Sequence, residues 1–427
     1  MSATDTSQAE ALEAATAAAG EDQPPFSLEL SQDQKDIQEW AHGFAENVIR
    51  PAGAEYDERE ETPWDIIKEA AKIGIYGFES LAQFFADPSG LTLPIVNEEL
   101  TWGDAGIGMA IMGTALPVAA IFGQATGEQI GEWIPRCFGT VDEPKVGAFC
   151  SSEPNAGSDV SGIRTNAKYD EATDEWVLNG QKAWATNGGI ADVHVVIATV
   201  DRELGSRGHA AFVVSKDENK GITQGSKVKK HGLRASHTAD VFLDDCRIPG
   251  RQLLGGKEKL DERLARVREG KKSSSQAAMQ TFEASRPTVG AQALGIARAA
   301  YEYSLEYAKD REQFGRKIIE NQSIAFTLAR MKMEIDAARL LVWRASWMGR
   351  TGQTFKNAEG SMSKLKSGEV AVWATERAMQ IMGGNGYARE FPVERWHRDA
   401  KIYDIFEGTA EIQQLVISRA ISGMHIR

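Results

Sequence analysis

Apolar residues recur at spacings of three and four near the start of the chain, where Ile37, Trp40, Phe44 and Val48 fall on one face of a helix. Ser31-Gln-Asp-Gln34 just before them has the form of a capping box. Pro51 is expected to end this helix and Pro63-Trp64 to start another. A glycine-rich stretch from Gly103 to Gly113 interrupts or tightly packs a third element. Residues 26–145 thus read as an N-terminal helical domain.

At about Val146 the period shortens to two. Glu175-Trp-Val-Leu178 and Gln181-Lys-Ala-Trp184 flank Asn179-Gly180, a pair that predicts a hairpin because both residues tolerate positive φ. Strand-like runs follow at Val193–Ile197, Ala210–Val214 and Val241–Leu243, giving a β domain over residues 146–255.

Residues 256–276 form a charged connection. Between 257 and 276 it holds seven Lys and Arg against four Asp and Glu, a net +3, and reads as a solvated helix or loop. Helical spacing then returns in Ile324, Leu328, Met331, Ile335, Ala338 and Leu341, the stripe of a bundle helix. Another helix spans about 361–382, with Gly383 placed to cap it. The expected fold class is α+β and mostly helical: an N-terminal helical bundle, a middle β-sandwich or barrel-like domain, and a C-terminal four-helix bundle over 277–427.

Composition narrows the function. A net charge of -13 over 427 residues argues against a general nucleic-acid binder, which needs a concentrated basic surface. Cys137, Cys150 and Cys246 are far apart and the histidines lack ligand spacing, so neither disulfides nor a metal are expected. No apolar run is read as reaching the roughly 18–20 residues that cross a bilayer. Residues 1–25 are Ala-, Thr- and Glu-rich and carry no Lys or Arg, which reads as a flexible tail on a cytoplasmic protein.

Several short stretches carry candidate chemistry. Near the C-terminus, Glu407 sits in Arg398-Asp-Ala-Lys-Ile-Tyr-Asp-Ile-Phe-Glu-Gly-Thr409, after the bulky residues Tyr403, Ile405 and Phe406. A carboxylate poorly hydrated there becomes a stronger base. The same residues also suit a helix start with Thr409 as N-cap, and the two readings stand side by side. Ser152-Glu-Pro-Asn-Ala-Gly-Ser-Asp159 suits close approach to a phosphate or a ring edge, or is a plain turn-rich loop. Trp184 and Thr186, two apart, would share one face of a strand. Arg311-Glu-Gln-Phe-Gly315 and Gln380-Ile-Met-Gly-Gly-Asn-Gly386 complete the set; the latter lacks the preceding strand of a dinucleotide-binding unit. Ser361-Met-Ser-Lys364 matches a nucleophile pattern without its partner motifs and is set aside as chance.

Taken in order, these motifs resemble the acyl-CoA dehydrogenase family of flavoproteins, from about residue 30 to the C-terminus. The resemblance implies FAD, an acyl-CoA substrate, a homotetramer built as a dimer of dimers, and an electron-transfer flavoprotein as acceptor. It implies that Glu407 removes the α-proton while the β-hydride passes to flavin N5, giving a trans-2-enoyl-CoA. Ser152, Ser158, Trp184, Thr186 and Thr409 would line the FAD, and Arg311, Phe314, Gln322, Gln380 and Gly384 would reach that of a neighbouring subunit. Ser158, Glu283, Arg286 and Gly408 would contact substrate. Some branches of the family carry the base just before the conserved Arg, where this chain has Ser285, so the role falls to Glu407. An acyl-CoA oxidase and a DNA-associated flavoprotein of the same fold are the alternatives.

Overall fold

The computed structural model describes residues 25–271 and 277–426, with side chains in the helix Ala277–Asp310 described from Ser285 onward. The capping box forms as expected: Gln34 N–H donates to Ser31 Oγ at 3.2 Å and Ser31 N–H to Gln34 Oε1 at 3.0 Å, opening the helix Gln32–Phe44. Pro51 does not end it. A π turn over Ala45–Ile49 lets the Arg50 N–H reach back to the Ala45 carbonyl, and Pro51 then falls in the first turn of the helix Arg50–Arg59, where its missing N–H costs little. The chain leaves the helical path at Glu60, which has φ 55°.

The uncharged stretch Ala105–Gln124 corrects the expectation about apolar runs, since its 20 residues are long and apolar enough to cross a membrane. Here it breaks into two helices, Ala105–Met112 and Ala115–Gln124, and 72% of it is buried inside the protein as core.

The middle domain is one curled mixed sheet. Its strands are β1 Gly147–Cys150, β2 Asn166–Asp170, β3 Glu175–Thr186, β4 Val193–Thr199, β5 His209–Ser215, β6 Ile222–Gln224 and β7 Thr238–Pro249. They run in the order β1-β4-β2-β3-β7-β6, with β5 also on β4; β4 pairs parallel with β1 and β2, and the other pairs are antiparallel. Asn179-Gly180 is not a hairpin turn. β3 runs straight through it with a register shift against β7, and the turn between β2 and β3 lies at residues 171–174. Gly180, at φ 153°, is required by close approach: a Cβ there would lie 2.4 Å from Thr165 Oγ1.

One face of the sheet joins the helices on both sides in a single core that includes Val193, Val195, Leu100, Leu294 and Met331. The other face carries Trp176, Phe212 and Val241 and is covered by the helix Lys257–Arg268 through Leu260 and Leu264. The charged connection is therefore an amphipathic lid on the sheet. Two of its arginines are engaged internally, Arg263 on the carbonyls of Arg207 and His209 and Arg268 on Asp201. The described part ends at Lys271.

Four helices make the C-terminal bundle: Ala277–Asp310, Gln322–Arg350, Glu359–Met382 and Ala410–Ser422, with Val393–Ala400 packed beside them. Gly383, at φ 61°, caps the third of these as expected. Of the predicted stripe on the second, Leu328, Met331, Ile335 and Ala338 are buried, Ile324 is half-buried, and Val342 takes the inner place expected of Leu341.

The three domains meet at Arg398-Asp399. Arg398 donates to Asp57 Oδ1 at 2.9 Å and Oδ2 at 2.7 Å in the N-terminal domain, and to the His231 carbonyl of the β domain at 3.2 Å. Leu233 N–H donates to Asp399 at 2.6 Å, and Arg395 reaches Asp104, the N-cap of the helix Ala105–Met112, at 3.1 Å. Gly232 packs so closely that a Cβ would stand 2.4 Å from the Arg398 carbonyl oxygen. Gly232→Ala is expected to cost about 1–3 kcal/mol by overpacking, read as a lower unfolding temperature; an unchanged melt would show that this loop moves aside freely.

Candidate active site

Glu407 stands just before the helix start that Thr409 is expected to cap. Thr409 is the N-cap of the helix Ala410–Ser422, its Oγ1 accepting from Ile412 N–H at 3.3 Å. Two residues earlier, Glu407 has φ 55° and Gly408 φ 90°. A left-handed conformation costs a non-glycine residue roughly 1–2 kcal/mol, so the turn must be held from outside. Gln413, fully buried, does part of this: its Nε2 donates to the carbonyls of Glu407 and Gly408, each at 3.0 Å.

The Glu407 residue is partly open, as a group facing a cleft should be, yet its carboxyl is closely packed by protein. Burial pushes its pKa up; a hydrogen bond from Ser285 Oγ to Oε2 at 3.1 Å and the charges of Arg286 and Lys364 pull it part of the way back. The result is a base less acidic than an ordinary glutamate but with donors that favour the anion. Of the apolar neighbours expected to shield it, Tyr403 is buried and stacks edge-on against Phe406 at 5.0 Å. Ile405 departs from that expectation, being half-exposed at the surface.

Arg286 is buried, donates to Ser361 Oγ at 2.9 Å, and lies close enough for its charge to act on Glu407. The side chain of Glu283 lies outside the described residues. Met112 lines a small apolar pocket with Tyr76, Leu81, Phe84 and Phe138, whereas Gly108 serves helix packing against Thr101 and Leu100.

A second cluster forms where the Ser152–Asp159 loop meets β3. Lys182, fully buried, donates to Glu153 Oε1 at 2.8 Å and to the Ser151 carbonyl at 3.0 Å, while the backbone N–H groups of Arg164 and Thr165 donate to Glu153 at 2.7 and 2.8 Å. Burial alone would raise the Glu153 pKa, but Lys182 and these donors hold it below the usual range. Ala183 N–H completes the seam on the Ser152 carbonyl at 2.8 Å. Neither Glu153 nor Lys182 is singled out by the sequence; Lys182 shares the parity of the buried Trp176 and Leu178, but a lysine at such a position gives no hint of the carboxylate that pairs with it inside.

Trp184 follows at once. The register shift between Lys182 and Ala185 puts it at φ 61° with 66% of its surface exposed. Simple alternation therefore does not govern Trp184 and Thr186 as expected, because the bulge intervenes. Thr186 closes the strand opposite Thr238 and packs near Gly113. A tryptophan held in a strained conformation to present its ring outward, next to the Ala183–Ser152 hydrogen bond and the loop that carries exposed Ser158, fits a flat aromatic cofactor such as a flavin.

The third group lies elsewhere. Arg311 follows the end of the helix Ala277–Asp310, and from Arg286 that helix extends about 36 Å at 1.5 Å per residue. A tight hairpin of β8 Glu312–Gln313 and β9 Arg316–Lys317 turns on Phe314 and Gly315, at φ 54° and 74°. Phe314 is 99% exposed, which removes a core role. Gln322 opens the next helix, and Asn385 Nδ2, donating to Tyr307 OH at 3.0 Å, brings Gln380 and Gly384 to the same end. Arg311, Phe314, Gln322, Gln380 and Gly384 thus share one exposed patch remote from the same chain's Glu407.

Lys182→Met leaves Glu153 buried without its countercharge, a loss of about 3–5 kcal/mol. The expected outcome is poor FAD retention with helical circular dichroism preserved; full flavin content by absorbance would count against the seam.

Comparison with known proteins agrees with this geometry. Residues 31–139, 148–246 and 275–422 match, in turn, the N-terminal, middle and C-terminal domains of acyl-CoA dehydrogenase. The chain is 38% identical over 405 residues to the short-chain specific acyl-CoA dehydrogenase of Megasphaera elsdenii, covering 93% of this chain and all of that one. The structure of butyryl-CoA dehydrogenase from Megasphaera elsdenii superposes with a TM-score of 0.83 at 35% identity, over 93% of this chain and 100% of that one. A chain from a study of the electron transferring flavoprotein of Acidaminococcus fermentans and flavin-based electron bifurcation superposes with a TM-score of 0.82 at 33% identity, over 92% and 99%. With all three domains matched and an outward tryptophan and a desolvated glutamate in place, this chain belongs to the acyl-CoA dehydrogenase family of FAD-dependent oxidoreductases.

Proposed function

We propose that this enzyme introduces a trans double bond between the α- and β-carbons of a short-chain acyl-CoA, with Glu407 as the base. The observation that carries the reading is the Glu407 carboxyl itself, desolvated, raised in pKa and hydrogen-bonded by Ser285. Ser152, Ser158, Trp184 and Thr186 would hold the FAD, which supplies a two-electron acceptor for the hydrogen leaving the β-carbon. Glu407 takes the α-proton; a raised pKa makes its affinity for that proton greater than that of a surface glutamate. The Gly408 turn and the buried Arg286 keep the carboxylate aimed, and the packed walls keep water from competing for the proton.

The short-chain substrate is supported by the relatives described above, as is an electron-transfer flavoprotein as acceptor. A homotetramer is supported by the exposed patch around Arg311 and Phe314, which suits completion of a neighbour's FAD site. A cytoplasmic location is supported by the three cysteines, unpaired and buried, whose thiols burial pushes up to about 12.

Glu407→Gln should retain FAD and lose activity by about 10²–10⁴-fold, measured with butyryl-CoA and an artificial electron acceptor. Turnover at the unmodified rate would sink the assignment. Because only ionised Glu407 accepts the α-proton and its pKa is raised, the wild-type rate should fall on the acid side at a higher pH than an unperturbed carboxyl would give. Arg311→Ala should weaken tetramer and flavin content together in gel filtration. Stoichiometric peroxide from aerobic turnover would redirect the assignment to an oxidase.

A further inference from the structure

The Ser361-x-x-Lys364 spacing, read from sequence as chance, falls at the active site. Both residues lie on the helix Glu359–Met382, Ser361 fully buried and Lys364 2% exposed. Arg286 bonds Ser361, while Lys364 Nζ donates to the Gly408 carbonyl at 2.8 Å. A buried ammonium is costly unless its placement is compensated. Here its hydrogen bond goes to the backbone of the turn that carries the base, and Asp404, Glu407 and Glu411 provide countercharge against Arg286.

That turn needs an external restraint. Glu407 and Gly408 are consecutive left-handed residues, a conformation that persists where its surroundings over-determine it. Two buried side chains do so: Gln413 on both carbonyls and Lys364 on the Gly408 carbonyl. Only Lys364 also brings a charge. Burial draws its pKa down to about 8, with Asp404 and Glu407 holding it up, so it is largely protonated near neutrality.

We infer that Lys364 is a positioning residue for the dehydrogenation: through the Gly408 carbonyl it holds the strained turn that aims Glu407, and its positive charge stands behind the base. The inference rests on Glu407 being that base. Around Glu407, the helix Ala277–Asp310 contributes Ser285 and Arg286, and Lys364 comes from Glu359–Met382. Removing Lys364 leaves Ser285 and Arg286 as the groups favouring the ionised carboxylate.

Lys364→Met preserves length and removes both donor and charge. In the FAD-loaded enzyme, anaerobic flavin reduction by butyryl-CoA should slow by about 10- to 100-fold, with KM little changed and the acid limb of the rate moved to higher pH. Gln413→Met removes the other restraint and keeps the charge, so it should slow reduction while leaving the acid limb in place. A Lys364→Met enzyme with full flavin, unchanged rate and unchanged acid limb overturns the inference. So does a Gln413→Met enzyme at the wild-type rate when Lys364→Met merely melts early or loses flavin. Failure of the base assignment is read separately, from turnover persisting in Glu407→Gln.

Discussion

Arg398 grips Asp57 with two nitrogens and the His231 carbonyl with one of them, while Asp399 beside it receives the Leu233 N–H. These contacts join three domains through charges that would be costly to bury singly. Burial, with Asp104 adding to it, raises the Asp399 pKa to about 8. The cluster forms only when all three domains are docked, and the chain that leaves it reaches Glu407 within nine residues. Placement of Glu407 is thus coupled to completion of the fold.

A second buried cluster ties the N-terminal helix Thr92–Gly103 to the C-terminal bundle. Arg298 bonds Glu98 and Glu99, and Arg339 bonds Glu98. Burial alone would raise the Glu99 pKa, yet hydrogen bonds from Arg298 and His42 outweigh it and bring the carboxylate down to about 2. Glu99 and Glu407 both have desolvated carboxyls, with opposite outcomes. The difference is the number and charge of their donors: Glu99 receives hydrogen bonds from Arg298, His42 and Gln38, and Glu407 one from a neutral serine. Charged donors offset the cost of burying a carboxylate, whereas a single neutral donor leaves much of that cost in place.

The long helix Ala277–Asp310 separates two tasks. Its early part places Ser285 and Arg286 around Glu407, and its far end leads to the exposed hairpin at Phe314. A rigid rod of this length makes it impractical for one chain to use both ends at one Glu407. The exposed patch and the inward end therefore belong to two separate surfaces of the chain.

Local periodicity settled much of the architecture. The capping box at Ser31, the Gly383 cap, the bundle stripe through Met331 and the order helices, strands, helices follow from interactions between residues a few positions apart. The Thr409 cap was legible for the same reason, since it and the helix it opens are adjacent in the chain. Tertiary structure decided the rest. Packing on β7 and Thr165 carried β3 through Asn179-Gly180, and a second register shift, between Lys182 and Ala185, turned Trp184 outward. The contacts that tune the site span 122 residues from Ser285 to Glu407, 44 from Lys364 to Gly408 and 29 from Glu153 to Lys182. No spacing rule encodes such pairs, because each depends on where whole helices and strands come to rest once their apolar faces are buried.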